Sequence, residues 1–261
     1  MDTKAYKKKK ILVFAGTFEG HKLAEAFWKK GWQEKADFCV ATCYGTELLE
    51  DIPGLSVMEG RLKEQDMKRL LAESSYGMVI DATHPYAKEV TENIKKACRQ
   101  TEVSYVRLFR ERSGKIREGV TEVDSISEAV ELLNGHRERV LLTTGAKELG
   151  KYSGISYMAE RVFARVLPSA ESIAACHNAG IPAGHIIAMQ GPFSREMNLA
   201  TMRQYGCTYL VTKDTGKPGG FDDKLAVLEA GFQVIVIRRP SAEQGDSFEE
   251  VMKKAEAFYE E

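Results

Sequence analysis

Short runs of apolar residues alternate along the chain with longer stretches in which apolar residues recur every three or four positions. The first pattern predicts buried strands and the second predicts amphipathic helices. The alternation begins with a strand over residues 11–15, followed by a helix whose apolar face carries Leu23, Ala24, Phe27 and Trp28. Because strands separated by helices are typical of βαβ units, we predict an α/β protein with mainly parallel sheets.

The alternation continues in both halves of the chain, with an interruption of charged and small residues over 108–119. Such an interruption indicates a domain boundary. We therefore predict two Rossmann-like, doubly wound halves, 1–115 and 116–261, with a ligand-binding cleft between them. Further strands are predicted at 38–43, 78–81, 104–107, 140–144, 162–167, 185–189, 209–212 and 234–237, and further helices at 63–74, 87–100, 126–133, 170–179, 195–205, 222–230 and 247–259.

Composition and charge narrow the class of protein. The 261 residues include 37 basic and 38 acidic side chains, a net charge of −1 that argues against a nucleic-acid-binding protein. The apolar segment after the lysines at 7–10 is too short for a signal peptide or a membrane-spanning helix, so we expect a cytoplasmic protein, monomeric or a small homo-oligomer. The five cysteines, which include Cys39, Cys43 and Cys98, contain no Cys-x-x-Cys pair and are expected to be buried free thiols. No metal site is predicted.

Small and polar residues follow the predicted strands of the first half. Ala15-Gly-Thr-Phe-Glu-Gly20 lies between the first strand and the first helix, where a glycine-containing turn and a helix N-terminus suit a phosphate. It lacks the full Gly-x-Gly-x-x-Gly fingerprint, so a tight turn without a ligand is equally consistent. The second strand ends in Thr42-Cys-Tyr-Gly-Thr46 with no acidic residue directly at its end, although Glu47 follows. That absence points towards NADPH and leaves NADH open.

The third polar segment, Asp81-Ala-Thr-His-Pro-Tyr-Ala87, follows a strand and precedes a helix. Thr83 as a cap and Pro85 in the first turn are explained by the start of the helix alone. The helix start does not explain why an aspartate, a histidine and a tyrosine occupy the same loop. These three residues are therefore candidate functional residues.

The second half carries candidate anion-binding residues in the corresponding positions. Lysines and arginines beside glycine-rich loops suit carboxylates or phosphates, although a solvated loop is the structural alternative. Arg161 and Arg165, four residues apart around a strand, are expected to project to the same side. The candidates are Thr144, Lys147, Arg161, Arg165, Gly191, Phe193, Ser194, Lys213, Asp214, Thr215, Lys217 and Lys224.

Taken together and in this order, these segments resemble the precorrin-6A reductases of cobalamin biosynthesis, including the cobalt-precorrin-6A reductases. The matching segments extend from residue 11 to about Pro240, and the run from Asp81 to Ala87 is the most specific. The segment Arg107-Leu-Phe-Arg-Glu-Arg112 departs from an Arg-Pro-x-Trp-like element that the family often has. The other matching segments are Ala15-Gly-Thr-x-Glu19, Leu142-Thr-Thr-Gly145, Ala164-Arg-Val-Leu-Pro168, Gly191-Pro-Phe-Ser194 and Val211-Thr-Lys-Asp-Thr-Gly216.

The resemblance implies reduction of one ring double bond of precorrin-6A, or of its cobalt form, by NADPH or NADH, giving the 6B dihydro product. It implies a nucleotide bound mainly by the first half and a polycarboxylate macrocycle bound towards the second half, where the substrate-binding candidates named above lie, with Lys213 among them. Candidate proton donors are Asp214, His84, Lys213 and Tyr86, and solvent is an alternative source. The cofactor-binding candidates are Gly16, Thr17, Glu19, Tyr44, Gly45, Asp81, Thr83 and His84.

Other functions are compatible with the fold class. A short-chain dehydrogenase needs a Tyr-x-x-x-Lys pair after a central strand, and the pair formed by Tyr6 and Lys10 lies in the charged N-terminal segment. A nucleotide-sugar transferase, a corrinoid methyltransferase and a non-catalytic nucleotide- or tetrapyrrole-binding module also fit two α/β halves. Binding of NAD(P)H and turnover would separate these alternatives from a reductase.

Overall fold

The computed structural model describes residues 10–109, 118–214, 220–239 and 245–260. The chain divides into two compact units, with the division falling between Glu111 and Arg112 and again between Ser241 and Ala242. The last segment thus returns to the first unit. The predicted division, 1–115 and 116–261, assigned residues 242–261 to the second half, and that assignment is wrong.

The first unit contains a five-stranded parallel sheet in the order β3-β2-β1-β4-β5. The chain builds outward from β1 to β3, then crosses back to place β4 on the other side of β1. The strands are β1 (Lys10–Phe14), β2 (Ala36–Val40), β3 (Ser56–Glu59), β4 (Tyr76–Asp81) and β5 (Ser104–Arg107), and the helices between them are α1 (Phe18–Lys29), α2 (Cys43–Glu47), α3 (Glu64–Glu73) and α4 (Lys88–Thr101).

The C-terminal helix, Phe248–Glu260, explains the return of the chain to the first unit. Its Val251 and Ala255 are fully buried in the same apolar cluster as Phe27 of α1 and Phe38 of β2. Burial of such side chains is worth roughly 1 to 3 kcal/mol each, so this helix is part of the first unit's core.

The second unit contains a six-stranded parallel sheet in the order β6-β11-β10-β7-β8-β9. Here the chain runs outward from β7 to β9 and then returns to place β10 beside β7. The strands are β6 (Val120–Val123), β7 (Arg139–Leu142), β8 (Val162–Val166), β9 (Ile186–Ala188), β10 (Cys207–Lys213) and β11 (Gln233–Ile237), and the helices are α5 (Ile126–Asn134), α6 (Met158–Arg161), α7 (Ala170–Asn178), α8 (Arg195–Gln204) and α9 (Phe221–Leu225).

The predicted fold class, two parallel α/β halves, is confirmed, and the differences concern the edges of the sheets. Strands β3 and β6 were not predicted because both are four-residue edge strands with half-exposed sequences, Ser-Val-Met-Glu and Val-Thr-Glu-Val. Trp28 is 45% exposed rather than part of the apolar face of α1. Cys43 begins α2 and is exposed, whereas the other four cysteines are buried free thiols.

Candidate active site

In the first unit, the reversal of strand order brings the ends of β1 and β4 side by side. Ligands of open α/β sheets bind beyond the carboxyl ends of the strands at such a reversal. The Thr17 hydroxyl donates a hydrogen bond to the Ala82 carbonyl at 2.9 Å, and the Ala82 amide donates to the Phe14 carbonyl at 2.9 Å. The two predicted loops, 15–20 and 81–87, are therefore held in contact.

The turn between β1 and α1 leaves open space beside the N-terminus of α1. Gly16 has φ +100°, and a Cβ built on it has no atom within 4 Å. Thr17 caps α1 by accepting a hydrogen bond from the Gly20 amide at 3.3 Å. A Cβ on Gly20 would lie 2.7 Å from Cβ of Ala15, so this glycine lets the helix approach the strand. An anion can approach the backbone closely at such a turn.

The end of β2 forms a second capped turn beside the first. The Thr42 hydroxyl accepts from the Gly45 amide at 3.3 Å, which starts α2. A Cβ on Gly45 would lie 2.8 Å from Cβ of Val40, so this glycine allows the helix to pack on the strand. The amide of Gly45 is thus used within the protein. Tyr44 beside it is half-buried.

Asp81, at the end of β4, is the centre of a buried hydrogen-bond network. One carboxylate oxygen accepts from Nη1 of Arg107 at 2.6 Å and from the amide and hydroxyl of Thr83 at 3.0 and 2.7 Å. The other oxygen accepts from the Tyr105 hydroxyl at 3.0 Å. Nη1 of Arg107 also donates to the Thr83 hydroxyl at 3.0 Å. Asp81 and Thr83 therefore fix the shape of the loop, and their polar atoms are engaged within the protein.

This network has a clear electrostatic consequence. A carboxylate removed from water is stable only where charged and hydrogen-bonding groups replace the water, and Arg107 and Tyr105 on β5 do so. Burial, followed by the Asp81 carboxylate beside it, raises the pKa of Tyr105, which stays protonated and continues to donate. The network thus holds the run from Asp81 to Ala87 in one conformation.

His84 and Tyr86 lie in the loop that this network supports. The Tyr86 amide donates to Nδ1 of His84 at 3.3 Å, and the two rings lie 5.6 Å apart between centroids. Because Nδ1 accepts a hydrogen bond, the proton of the neutral imidazole is on Nε2. His84 can therefore present an N–H donor at the carboxyl end of the sheet.

In the second unit, the corresponding reversal lies between β7 and β10. The amide and hydroxyl of Thr143 both donate to the Val211 carbonyl, at 2.9 and 3.0 Å. The next hydroxyl, of Thr144, is buried, and so is the hydroxyl of Tyr152. Burial raises the pKa of Tyr152, and a hydrogen bond with Thr144 opposes that rise, so the two hydroxyls lie next to each other. This pair of neutral polar groups makes the strand end a candidate ligand contact.

Two ion pairs hold the residues at the end of β10. The Lys213 ammonium pairs with the Glu148 carboxylate. Burial opposes ionisation of Glu148, but hydrogen bonds from Lys151 and Lys213 outweigh it and lower its pKa. Nε of Arg239 donates to the Asp214 carbonyl at 2.9 Å, and the Arg239 guanidinium also contacts the Asp214 carboxylate at 3.3 Å. Both predicted proton donors of this strand thus have ionic partners.

The two arginines predicted to project together do not do so. Arg161 ends α6 at the amino end of β8, and its guanidinium donates to the carbonyls of Leu133 and Glu138 at 2.8–3.1 Å. Arg165 lies towards the carboxyl end of β8, where Nη2 donates to Oδ1 of Asn198 at 2.8 Å. The prediction is wrong because the chain at Arg161 is helical rather than extended, so the two side chains serve opposite ends of the strand.

The remaining candidates differ in what surrounds them. Lys147 is exposed in a short 3₁₀ helix, Ala146–Tyr152. Ser194 caps α8 by accepting from the Met197 amide at 3.3 Å. Thr215 and Lys217 lie outside the described residues, as does the part of the divergent segment after Phe109.

A second Tyr-x-x-x-Lys spacing, Tyr209 to Lys213, was overlooked in the sequence. These residues lie in strand β10, where a four-residue separation spans about 13 Å instead of one helical turn. They cannot form the adjacent pair that a short-chain dehydrogenase uses.

The part of the chain that the structure describes contains no group of three or more histidine, cysteine, aspartate or glutamate side chains arranged to hold a metal ion. Within the same residues, no helix combines the length and the apolar character that crossing a membrane requires.

Residues 10–256 match the family model described as precorrin-6x reductase CbiJ/CobK. The chain belongs to this family. A curated cobalt-precorrin-6A reductase from Methanothermobacter thermautotrophicus is 39% identical over 89% of this chain and 77% of its own length, and one from Priestia megaterium is 34% identical over 93% and 96%. The solved structure of a CobK precorrin-6A reductase superimposes with a TM-score of 0.77 at 25% identity, covering 96% of this chain and 97% of that one.

Several residues that hold the candidate site in place were not identified from the sequence. Tyr105 was assigned only to a strand, Arg107 to that strand and to the start of the divergent segment, and Glu148, Asn198 and Arg239 were not singled out at all. Each of them positions a predicted residue through a side-chain contact from another element. For Tyr105 and Arg107 on β5, and for Arg239 just after β11, the signal that could have found them is the strand order, because parallel neighbours place their carboxyl ends at one edge. Glu148 and Asn198 lie in helical segments, for which the sequence offered no such signal.

Proposed function

We propose that this protein reduces one ring double bond of cobalt-precorrin-6A, giving the 6B dihydro product, with NADPH or NADH as reductant. Family membership across residues 10–256, which include both units, is the observation that carries the reaction class. The curated relatives at 39% and 34% identity are named cobalt-precorrin-6A reductases, whereas the structural neighbour named precorrin-6A reductase is 25% identical. This difference favours the cobalt form of the substrate.

The first unit suits the dinucleotide. Gly16 provides a turn with positive φ and open space, and the capped start of α1 presents backbone amides that have no partner within the helix. We assign Gly16, Thr17 and Glu19 on this turn, with Tyr44 beside it, to cofactor binding. Asp81 and Thr83 have an indirect role, because their hydrogen bonds fix the loop that carries His84. When bound, the reduced nicotinamide supplies the hydride that the reduction needs.

The second unit suits the carboxylate-rimmed macrocycle. Arg165 and Lys224 supply positive charge, and the half-buried Phe193 ring, which lies against the Arg165 guanidinium, supplies apolar surface. The neighbouring buried hydroxyls of Thr144, just after β7, and Tyr152 supply neutral polar groups. A large ligand with an apolar body and anionic edges needs this combination of groups.

Hydride transfer adds one of the two hydrogens of the dihydro product. The second hydrogen must therefore reach the substrate as a proton. Lys213 and Asp214 are held by Glu148 and Arg239, which favours positioning roles for them. His84 lies in the loop at the carboxyl end of the first sheet, and its imidazole, once protonated, can give a proton to the substrate and recover one from water. Among the side chains considered, we therefore assign proton donation to His84.

The deciding experiment offers cobalt-precorrin-6A or precorrin-6A under anaerobic conditions, each with NADPH or NADH. We expect loss of reduced-nicotinamide absorbance only when a macrocycle is present, with a matching change in the macrocycle spectrum and the fastest rate for the cobalt form. Absence of oxidation in all four mixtures, with either ligand still binding, would disprove the reductase activity. A faster rate with metal-free precorrin-6A would disprove the assignment of substrate form.

A further inference from the structure

The segment before the C-terminal helix, residues 245–247, lies along the end of strand β5. The Asp246 amide donates to the Arg107 carbonyl at 2.8 Å, and the Phe109 amide donates to the Asp246 carbonyl at 2.8 Å. Leu108 and Asp246 thus form a parallel bridge directly after the strand. The segment therefore continues the first sheet beyond β5, at the carboxyl end where the candidate site lies.

This segment approaches Arg107 more closely than a side chain at residue 245 would allow. A Cβ built on Gly245 would lie 2.7 Å from the Arg107 carbonyl oxygen, 3.0 Å from Cγ of Arg107 and 3.1 Å from Cβ of Phe109. Non-bonded carbon atoms are most stable about 3.5–4.0 Å apart, so a larger residue must displace Arg107 or move the segment away from it. The φ angle of Gly245 lies outside the left-handed region, so close approach alone calls for glycine here.

Arg107 connects this contact to the loop that carries His84. Nη1 of Arg107 lies 2.6 Å from the Asp81 carboxylate and 3.0 Å from the Thr83 hydroxyl. The guanidinium is carried by the stem that includes Cγ, so a shift of the stem lengthens both bonds, and hydrogen bonds weaken as they lengthen. A change at residue 245 therefore reaches residues 81–87 through one side chain.

We propose that Gly245 is a positioning residue for the candidate active site, because it lets the segment 245–247 pack on Arg107 and so keeps Arg107 on Asp81. The consequence for catalysis rests on the proposed function, in which His84 gives a proton to the substrate. The consequence for the loop depends on no activity. The structural alternative is that Gly245 serves only to dock the C-terminal helix, and a change there would then alter stability without altering the loop.

The test measures amide hydrogen exchange by NMR at Thr83, in the loop, and at Val79, in the middle of β4. Gly245→Ala is compared with Gly184→Ala, where a Cβ has no atom within 4 Å, and with Val251→Ala, which removes buried packing of the C-terminal helix. Gly245→Ala should raise the ratio of the Thr83 rate to the Val79 rate at least about tenfold, because local opening of the loop becomes easier. Neither control should raise this ratio. A rise in Val251→Ala as large as that in Gly245→Ala, or no rise in Gly245→Ala, would overturn the proposal.

A measurement on the unchanged protein serves if Gly245→Ala does not fold. Exchange is followed at increasing urea concentrations below the unfolding transition. The amides of Asp246 and Thr83 should lose protection together, because detachment of the segment releases Arg107 and with it the loop. Protection of Thr83 that persists after the Asp246 amide has opened would contradict the proposed connection.

Turnover separates a role in the site from a role in loop shape alone. With cobalt-precorrin-6A and the better of NADPH and NADH, Gly245→Ala should lower kcat about tenfold with little change in KM, because the loop misplaces His84 while both ligands still bind. Gly184→Ala should keep the kcat of the unchanged protein. Faster exchange at Thr83 with an unchanged kcat would overturn the role of Gly245 in the site. An unchanged protein that shows no turnover would reject the proposed function, and the exchange ratio would still decide whether Gly245 positions the loop.

Discussion

Two buried arginines, one in each unit, are held in different ways. In the first, Arg107 is 6% exposed and pairs with the fully buried Asp81 carboxylate. In the second, Arg165 is 5% exposed, and its partners are an amide oxygen and an aromatic ring. Equal burial thus accompanies a complete network around Arg107 and an incomplete one around Arg165. The complete network fixes the shape of the loop after Asp81. A buried cation without a carboxylate partner can instead bind an anionic ligand.

The largest effect should come from breaking the completed network. Arg107→Ala leaves the Asp81 carboxylate buried without its cation, and such a loss costs about 3–5 kcal/mol. We expect the free energy of unfolding, measured in urea, to fall by that amount. Asp81→Asn with Arg107→Met removes both charges and should cost clearly less than Arg107→Ala alone. Equal losses in the two proteins would contradict the view that the buried unpaired charge dominates.

The Asp81–Arg107 pair also shows where prediction from sequence ends. Apolar periodicity locates β4 and β5 because each strand must bury a run of side chains, and both strands were predicted. The pair itself depends on β5 lying beside β4, which aligns Asp81 with Arg107 in register. Strand order is set by the packing of the whole unit, so residues 26 apart in sequence gave no sign of contact. The same limit concealed Asn198 as the partner of Arg165.

The second-largest effect, a loss of kcat, is expected at His84, in the loop that the Asp81 network supports. His84→Asn should lower kcat about 100-fold, because it removes the Nε2 donor that we assign to proton transfer. The asparagine side chain can still accept from the Tyr86 amide two residues on, as Nδ1 of His84 does at 3.3 Å, so the loop keeps its turn. Rates are measured at saturating NADPH and macrocycle. An unchanged kcat in His84→Asn would assign the proton to solvent or to another residue.

A smaller effect is expected at the start of α1. Thr17→Ala removes an N-cap and the bond to the Ala82 carbonyl, and cap removal costs about 1 kcal/mol. Ser125→Ala removes the equivalent cap of α5 in the second unit, where the hydroxyl accepts from the Glu128 amide at 3.2 Å. Both variants should lose similar stability in urea. Only Thr17→Ala should weaken NADPH binding, and a similar loss in Ser125→Ala would show that the effect is general destabilisation.

The smallest effect should come from the incomplete network, and it completes the comparison. Arg165→Met removes a buried charge that has no acidic partner and leaves a flexible apolar side chain of comparable length against Phe193. The bond to Asn198 is lost, but the desolvation of the guanidinium no longer has to be offset, so we expect the free energy of unfolding to change by less than about 1 kcal/mol. Urea unfolding of Arg165→Met beside Arg107→Met measures the difference directly. If Arg165→Met lost as much stability as Arg107→Met, the second arginine would be a structural element like the first, and its Nη1, buried without a hydrogen-bond partner, would be no sign of a ligand.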